Sequence, residues 1–194
     1  MKEFNVTGLC IPQKHYMVDV SDKVAQIRKL VDDARYFTID RARQFGKTTI
    51  LASLGRSLAD DYIVASISFE NMSGEIFLNE KSFCAEFMEL IQEAVQSVQG
   101  NDSTYNWIDK NVSTLSALRR HIIRMCTGKK VVLIIDEVDQ ASNNQVFLDF
   151  LSILRSNFLA RESSGRHTFH SVILAGVYDI KSIKLNCKKN TNNY

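Results

Sequence analysis

Five consecutive apolar residues, Val131-Val132-Leu133-Ile134-Ile135, run without interruption into two carboxylates, Asp136 and Glu137. A strand with one face in water alternates apolar and polar side chains. A strand buried on both faces does not, and an unbroken run of this kind reads as the central strand of a parallel sheet covered by helices on either side. The run is far too short to span a bilayer, so it points to the interior of an α/β domain.

The rest of the chain supplies the partners such a strand needs. Val24, Ile27, Leu30 and Val31 follow one face of a helix, with Ser21 read as its cap. Tyr36-Phe37-Thr38-Ile39 reads as a short strand ending at Asp40. Ile50, Leu51, Leu54 and Leu58 return to helical spacing, and Tyr62 to Phe69 reads as a second strand. Helices are expected through Phe83 to Val98, Leu115 to Met125 and Val146 to Phe158. A further strand is expected at Ser171 to Ala175. Strands alternating with helices argue for a largely parallel sheet. With one proline, Pro12, and no Gly/Ser-rich linker, no internal boundary is visible. The reading is residues 1–34 as an N-terminal segment packed on the core, 35–185 as the core itself and 186–194 as a polar tail.

Composition narrows the class. The chain has 194 residues, 45% hydrophobic and 24% charged, with a net charge of +2. These are ordinary values for a soluble globular domain. The charge is too small and too scattered to support a nucleic-acid partner. The four cysteines, Cys10, Cys84, Cys126 and Cys187, lie far apart without metal-ligand spacing, which implies reduced thiols. The N-terminus lacks the apolar core of a signal peptide. A cytoplasmic location and no membrane association are the expectation.

The chemistry enters at Arg41-Ala42-Arg43-Gln44-Phe45-Gly46-Lys47-Thr48. A loop of the form G-x-x-x-x-G-K-[ST] between a strand and a helix aims backbone N–H groups at phosphates. Its lysine reaches the β/γ oxygens and its hydroxyl meets Mg²⁺. Gly46, Lys47 and Thr48 match its last three positions, in the required context. Alone, Gly-Lys-Thr could equally be a solvated first turn. The two carboxylates change that balance, because ligands gather outside the carboxyl ends of parallel strands. Alternation along a strand predicts that Asp136 and Glu137 serve different contacts. Arg41 stands where the loop normally opens with glycine; it reads as an added cation near the phosphates or as a salt bridge holding the loop, and Arg43 is equally open. No N/T-K-x-D segment is present, so ATP is preferred over GTP.

These residues resemble the bacterial AAA-ATPase-like family, whose loop reads R-P-R-R-F-G-K-[ST] or R-A-R-Q-[FY]-G-K-T. Tyr16 to Asp19, Tyr36 to Thr49, Val132 to Asp139 and Ile173 to Asp179 carry the resemblance, which runs from about Phe4 to Ile183. It implies a P-loop NTPase three-layer sandwich with a largely parallel central sheet. It makes Arg41 the family's usual residue. It implies a nucleotide cradle of Arg41, Arg43, Gln44, Phe45, Gly46, Lys47, Thr48 and Thr49. Thr48 and Asp136 would hold Mg²⁺, Glu137 would be the catalytic base, and Lys47 would act with it. Such a domain would use ATP and Mg²⁺ as a conformational switch for an unknown protein partner or a missing C-terminal domain, with homo-oligomerisation allowed. Family members continue into lid elements and often a nuclease-like domain, which implies a C-terminally truncated copy or a fragment.

Two rival functions compete. One is an ATP-binding module with little turnover, lacking lid and arginine finger; the other, ranked lower, is a small-molecule P-loop kinase. Relatives carry a polar sensor at the end of the strand after the Asp-Glu strand, but Ala175-Gly176-Val177 offers no polar side chain before Tyr178 and Asp179. Arg155, Arg161 and Arg166 read as solvated helix-face residues and Asp139 as a helix cap with a site role left open. His121 reads as a structural histidine, and His167 and His170 as lacking a third metal ligand. Pro12, His15 and Tyr16 read as a loop packed on the domain, and Tyr105 and Trp107 as local core cover.

Overall fold

In the computed structural model, which describes residues 19–40, 46–70, 72–99, 109 and 111–177, the apolar run is β3 (Val131–Asp136), buried at all of its positions. Its neighbour β4 (Ser171–Gly176) is buried throughout as well. β1 (Tyr36–Asp40) and β2 (Ile63–Ser68) complete a four-stranded sheet in the order β1-β4-β3-β2, with every pair parallel. Tyr36 stands opposite Val172, Val132 opposite Ser171 and Ser68 opposite Asp136. Parallel pairing gathers all four carboxyl ends at one edge of the sheet.

Among the described residues five α-helices cover the two faces: α1 (Ser21–Asp32), α2 (Lys47–Leu58), α3 (Glu80–Gln99), α4 (Leu115–Cys126) and α5 (Gln145–Ser164). Alternation along β3 divides the core. Val132 and Ile134 pack with Ile173 and Ala175 of β4 against Leu51, Leu54 and Leu58 of α2 and Val31 of α1. Val131, Leu133 and Ile135 pack with Val172 and Leu174 against α3, α4 and α5. The result is the expected three-layer α/β sandwich. On the second face the rings of Phe87 and Phe150 lie 4.7 Å apart and those of Phe83 and Phe150 5.2 Å apart, joining α3 to α5. Such aromatic pairs add to the burial term.

Some local expectations are corrected. Ser21 is not the cap of α1; it is the first helical residue, and the Asp19 carboxylate accepts its N–H at 2.9 Å. Tyr62 and Phe69 fall just outside β2. The Tyr62 hydroxyl leaves the ladder to donate to Asp32 at 2.8 Å. Arg161 is no solvated helix-face residue: its guanidinium donates to the carbonyls of Phe169, His170 and Ala34 at 3.1, 2.7 and 2.6 Å. It also lies over the rings of Phe158 and Tyr36. Arg155 is exposed, as read. His121 is buried, 3.8 Å from the Asp109 carboxylate and 3.2 Å from Arg124. Among the described residues no helix is long and apolar enough to cross a membrane. Pro12, His15, Tyr16, Tyr105, Trp107, Tyr178, Asp179 and residues 186–194 lie outside the described residues.

Candidate functional site

α2 begins where the phosphate-loop motif ends. Gly46 is its N-terminal flanking residue, with φ +71° in the left-handed region, a conformation that glycine takes without steric cost. The Gly46 carbonyl accepts the first helical bond, from the Ile50 N–H at 2.9 Å. Lys47, Thr48 and Thr49 form the first turn. Thr49 is buried, whereas the side chains of Lys47 and Thr48 turn toward the end of β3. Arg41, Arg43, Gln44 and Phe45 lie outside the described residues.

Lys47 and Thr48 meet both carboxylates. Lys47 Nζ stands 3.1 Å from Asp136 Oδ1 and 3.0 Å from Glu137 Oε1. Thr48 Oγ1 donates to Asp136 Oδ2 at 3.1 Å. The Glu137 N–H donates to Asp136 Oδ1 at 2.9 Å, so both oxygens of that buried carboxylate are engaged. A lysine only 8% exposed needs such counter-charges. Burial by itself would lower its pKa; its hydrogen bonds to Glu137 and Asp136 outweigh that and hold the pKa above the ordinary value.

The expectation that Asp136 and Glu137 serve different contacts is overturned, because both reach Lys47. The physical reason is the backbone. β3 ends at Asp136, and Glu137 takes φ +55°, ψ +39°, which removes it from the alternation of the strand. A left-handed glutamate carries a steric cost that glycine does not, and it persists only where its surroundings fix it. A short 3-10 turn, Val138–Ala141, follows directly.

Asp139 is likewise not a helix cap. It sits inside that turn, and its Oδ1 accepts the Val177 N–H at 3.0 Å, joining the segment after β3 to the end of β4. Sequence reading missed this contact. The signal available for it was a glycine, Gly176, ending an otherwise apolar strand.

The donor set suits a hard cation: Thr48 offers a hydroxyl and Asp136 a carboxylate, side by side. Among the described residues no group of three or more His, Cys, Asp and Glu side chains gathers for a metal. A hydroxyl and a carboxylate are hard oxygen donors of the kind that Mg²⁺ takes together with substrate phosphates and water. An apolar groove of about 580 Å³ lies elsewhere, between α5 and the β1–β4 side of the sheet, lined by Tyr36, Phe158 and Leu174 among others. It holds no carboxylate, so the paired charges at the strand ends carry the candidate chemistry.

A family model described as an AAA-like domain matches residues 14–183. The curated proteins give no match. Among solved structures the chain is similar to one in the Drosophila ORC bound to poly(dA/dT) DNA and Cdc6, at 12% identity and a TM-score of 0.47; the match covers 86% of this chain and 26% of that one. It is also similar to the Aeropyrum pernix ORC2 protein in its ADPNP–ADP complexes, at 10% identity and a TM-score of 0.46, covering 91% of this chain and 44% of that one. The chain thus spans less than half the length of either structure.

Proposed function

The chain belongs to the AAA-like domain family, and on that premise we propose that it binds ATP with Mg²⁺ and hydrolyses it, acting as a conformational switch for a protein partner. One observation carries this reading: the first turn after the phosphate loop and the end of the buried strand converge, with Lys47 and Thr48 each about a hydrogen bond from Asp136 or Glu137.

In this reading Mg²⁺, when bound, neutralises phosphate charge. Thr48 and Asp136 hold it. Lys47 turns from the carboxylates to the β/γ-phosphate oxygens, where a compact ammonium offsets developing negative charge. The exchange leaves the Glu137 carboxylate to orient water and take its proton. Water adds to the γ-phosphorus as the bond to the β-phosphate oxygen breaks, giving ADP and phosphate. Gly46 and the first-turn amides of α2 meet the phosphates along the helix axis. Arg41, Arg43, Gln44, Phe45 and Thr49 complete the cradle by family resemblance.

A second reading has its own support. Glu137 Oε1 is already engaged by Lys47 at 3.0 Å. A lysine that stays there keeps that oxygen from a water, which favours a module that holds ATP with little turnover. Phosphate release and ATP binding with Mg²⁺, compared between the native chain, Lys47→Ala and Glu137→Gln, separate the two. Hydrolysis by the native chain, lost in Glu137→Gln while ATP still binds, supports the ATPase. Tight ATP binding without phosphate release selects the module, and no nucleotide binding at all overturns both.

A further inference from the structure

We propose that Asp139 is a positioning residue: its carboxylate pins the turn carrying Glu137 to the end of β4 and thereby sets where the Glu137 carboxylate stands. Its consequence for catalysis rests on the ATPase reading above. Its geometry does not.

Glu137 is a non-glycine residue in the left-handed region, and its side chain is held by Lys47 at 3.0 Å. Its N–H donates to Asp136 Oδ1, and its carbonyl accepts the Gln140 N–H at 3.1 Å. The turn that follows must therefore be anchored from outside. Val138 and Ala141 are buried and give it an apolar footing, but apolar contacts do not fix rotation about the chain. The directional bond is Asp139 Oδ1 to the Val177 N–H, across 38 residues of sequence. Val177 is the first residue past β4. The β1–β4 ladder ends at Asp40 opposite Gly176, so that amide needs a partner beyond the sheet.

Gly176 is the second, independent part of the device. A Cβ there would lie 2.8 Å from Asp139 Oδ1 and 3.1 Å from Val138 Cγ2. The strand end is thus bare where the turn presses against it. Ala175-Gly176-Val177 offers no polar side chain, yet its backbone is gripped by a carboxylate two residues from Glu137.

The test compares Asp139→Ala, Asp139→Asn and Gly176→Ala in the full chain. Asparagine keeps an acceptor oxygen but loses the charge. Expected are a fall in kcat of about tenfold or more in Asp139→Ala and Gly176→Ala, ADP affinity within about twofold of native, and near-native kcat in Asp139→Asn. An Asp139→Asn variant as slow as Asp139→Ala would mean that charge matters rather than the bond, and would overturn the proposal. So would loss of ADP binding in step with kcat, which marks a merely structural role.

Amide hydrogen exchange supplies a readout that needs no turnover. In Asp139→Ala the amides of both Val177 and Gln140 are expected to exchange faster than in the native chain, because the Gln140 bond closes the Glu137 turn. If Val177 loosens while Gln140 stays protected, Asp139 does not hold that turn and the inference falls. A native chain without turnover would sink the ATPase reading and leave this exchange experiment to decide the positioning role.

Discussion

Among the described residues, each edge of the sheet holds a cation, Lys47 buried and Arg161 partly buried, and the two are held in opposite ways. At the carboxyl edge, Lys47 faces two carboxylates, both on side chains that can rotate. At the amino edge, Arg161 faces the carbonyls of Phe169, His170 and Ala34 and two aromatic rings. Backbone carbonyls cannot leave without moving the loops that own them. The planar guanidinium also serves several acceptors at once, which an ammonium cannot do in the same geometry. The amino edge is therefore a fixed clasp between the α1–β1 and α5–β4 connections. The carboxyl edge holds its lysine through side chains alone, which is what the proposed trade of carboxylate for phosphate requires.

The strongest test of that contrast is at Glu137. Glu137→Gln keeps the side-chain length and is expected to cut phosphate release by about 100-fold or more while ATP still binds, read by a coupled phosphate assay and by calorimetry. Next is Lys47→Ala, expected to weaken ATP binding by about 10- to 100-fold, the value of a charge-assisted hydrogen bond or two. Binding unchanged by that variant would show that Lys47 never exchanges partners.

At the opposite edge the effect should move from activity to stability. Arg161→Ala is expected to cost about 2 kcal/mol in denaturant unfolding, with ATP affinity within about twofold of native, because three carbonyls lose a partly buried charged donor. Arg161→Lys should recover little of it. A change in ATP affinity that outruns the loss of stability would dissolve the distinction between the two edges.

The smallest expected effect is a pH dependence beside that clasp. Burial pushes the His170 pKa below its ordinary value of 6.5; a hydrogen bond with the Val31 backbone works the other way, and the Lys130 and Arg161 charges add to the lowering. The unfolded chain then binds a proton that the folded chain resists. Stability is full above pH 6.5 and declines as pH falls through that value toward the folded pKa. Melting temperatures between pH 8 and 5 should show a steeper acid loss in the native chain than in His170→Phe. Parallel curves would remove His170 as the cause.

Much of this fold was legible in the sequence, and for definite reasons. The run Val131 to Ile135 could only be a strand buried on both faces, and Leu51, Leu54 and Leu58 could only line one side of a helix. Gly46-Lys47-Thr48 announced its own position between β1 and α2. The unread contacts depend on long-range register or on backbone angles. Gly176 hints at a close approach but does not name Asp139 as the partner, and nothing local tells that Arg161 will find three carbonyls, since those partners are chosen by how β4 docks. The left-handed turn at Glu137 was hidden because glutamate rarely adopts it, and that turn is what brings both carboxylates to one lysine.

The order β1-β4-β3-β2 has a consequence for how the molecule is made. β4 gives the candidate site no side chain, yet it is the spacer that separates the strand leading to the phosphate loop from the strand ending in Asp136. β1 is the first of the four described strands to be synthesised, but its strand neighbour among the described residues is the last of the four. Contacts that close so much chain form slowly, and a nascent chain without β4 has nothing to set Lys47 at the right distance from its carboxylates. A site built this way forms only once β4 has been made, so the approach of Lys47 to its carboxylates reports that the four described strands have paired.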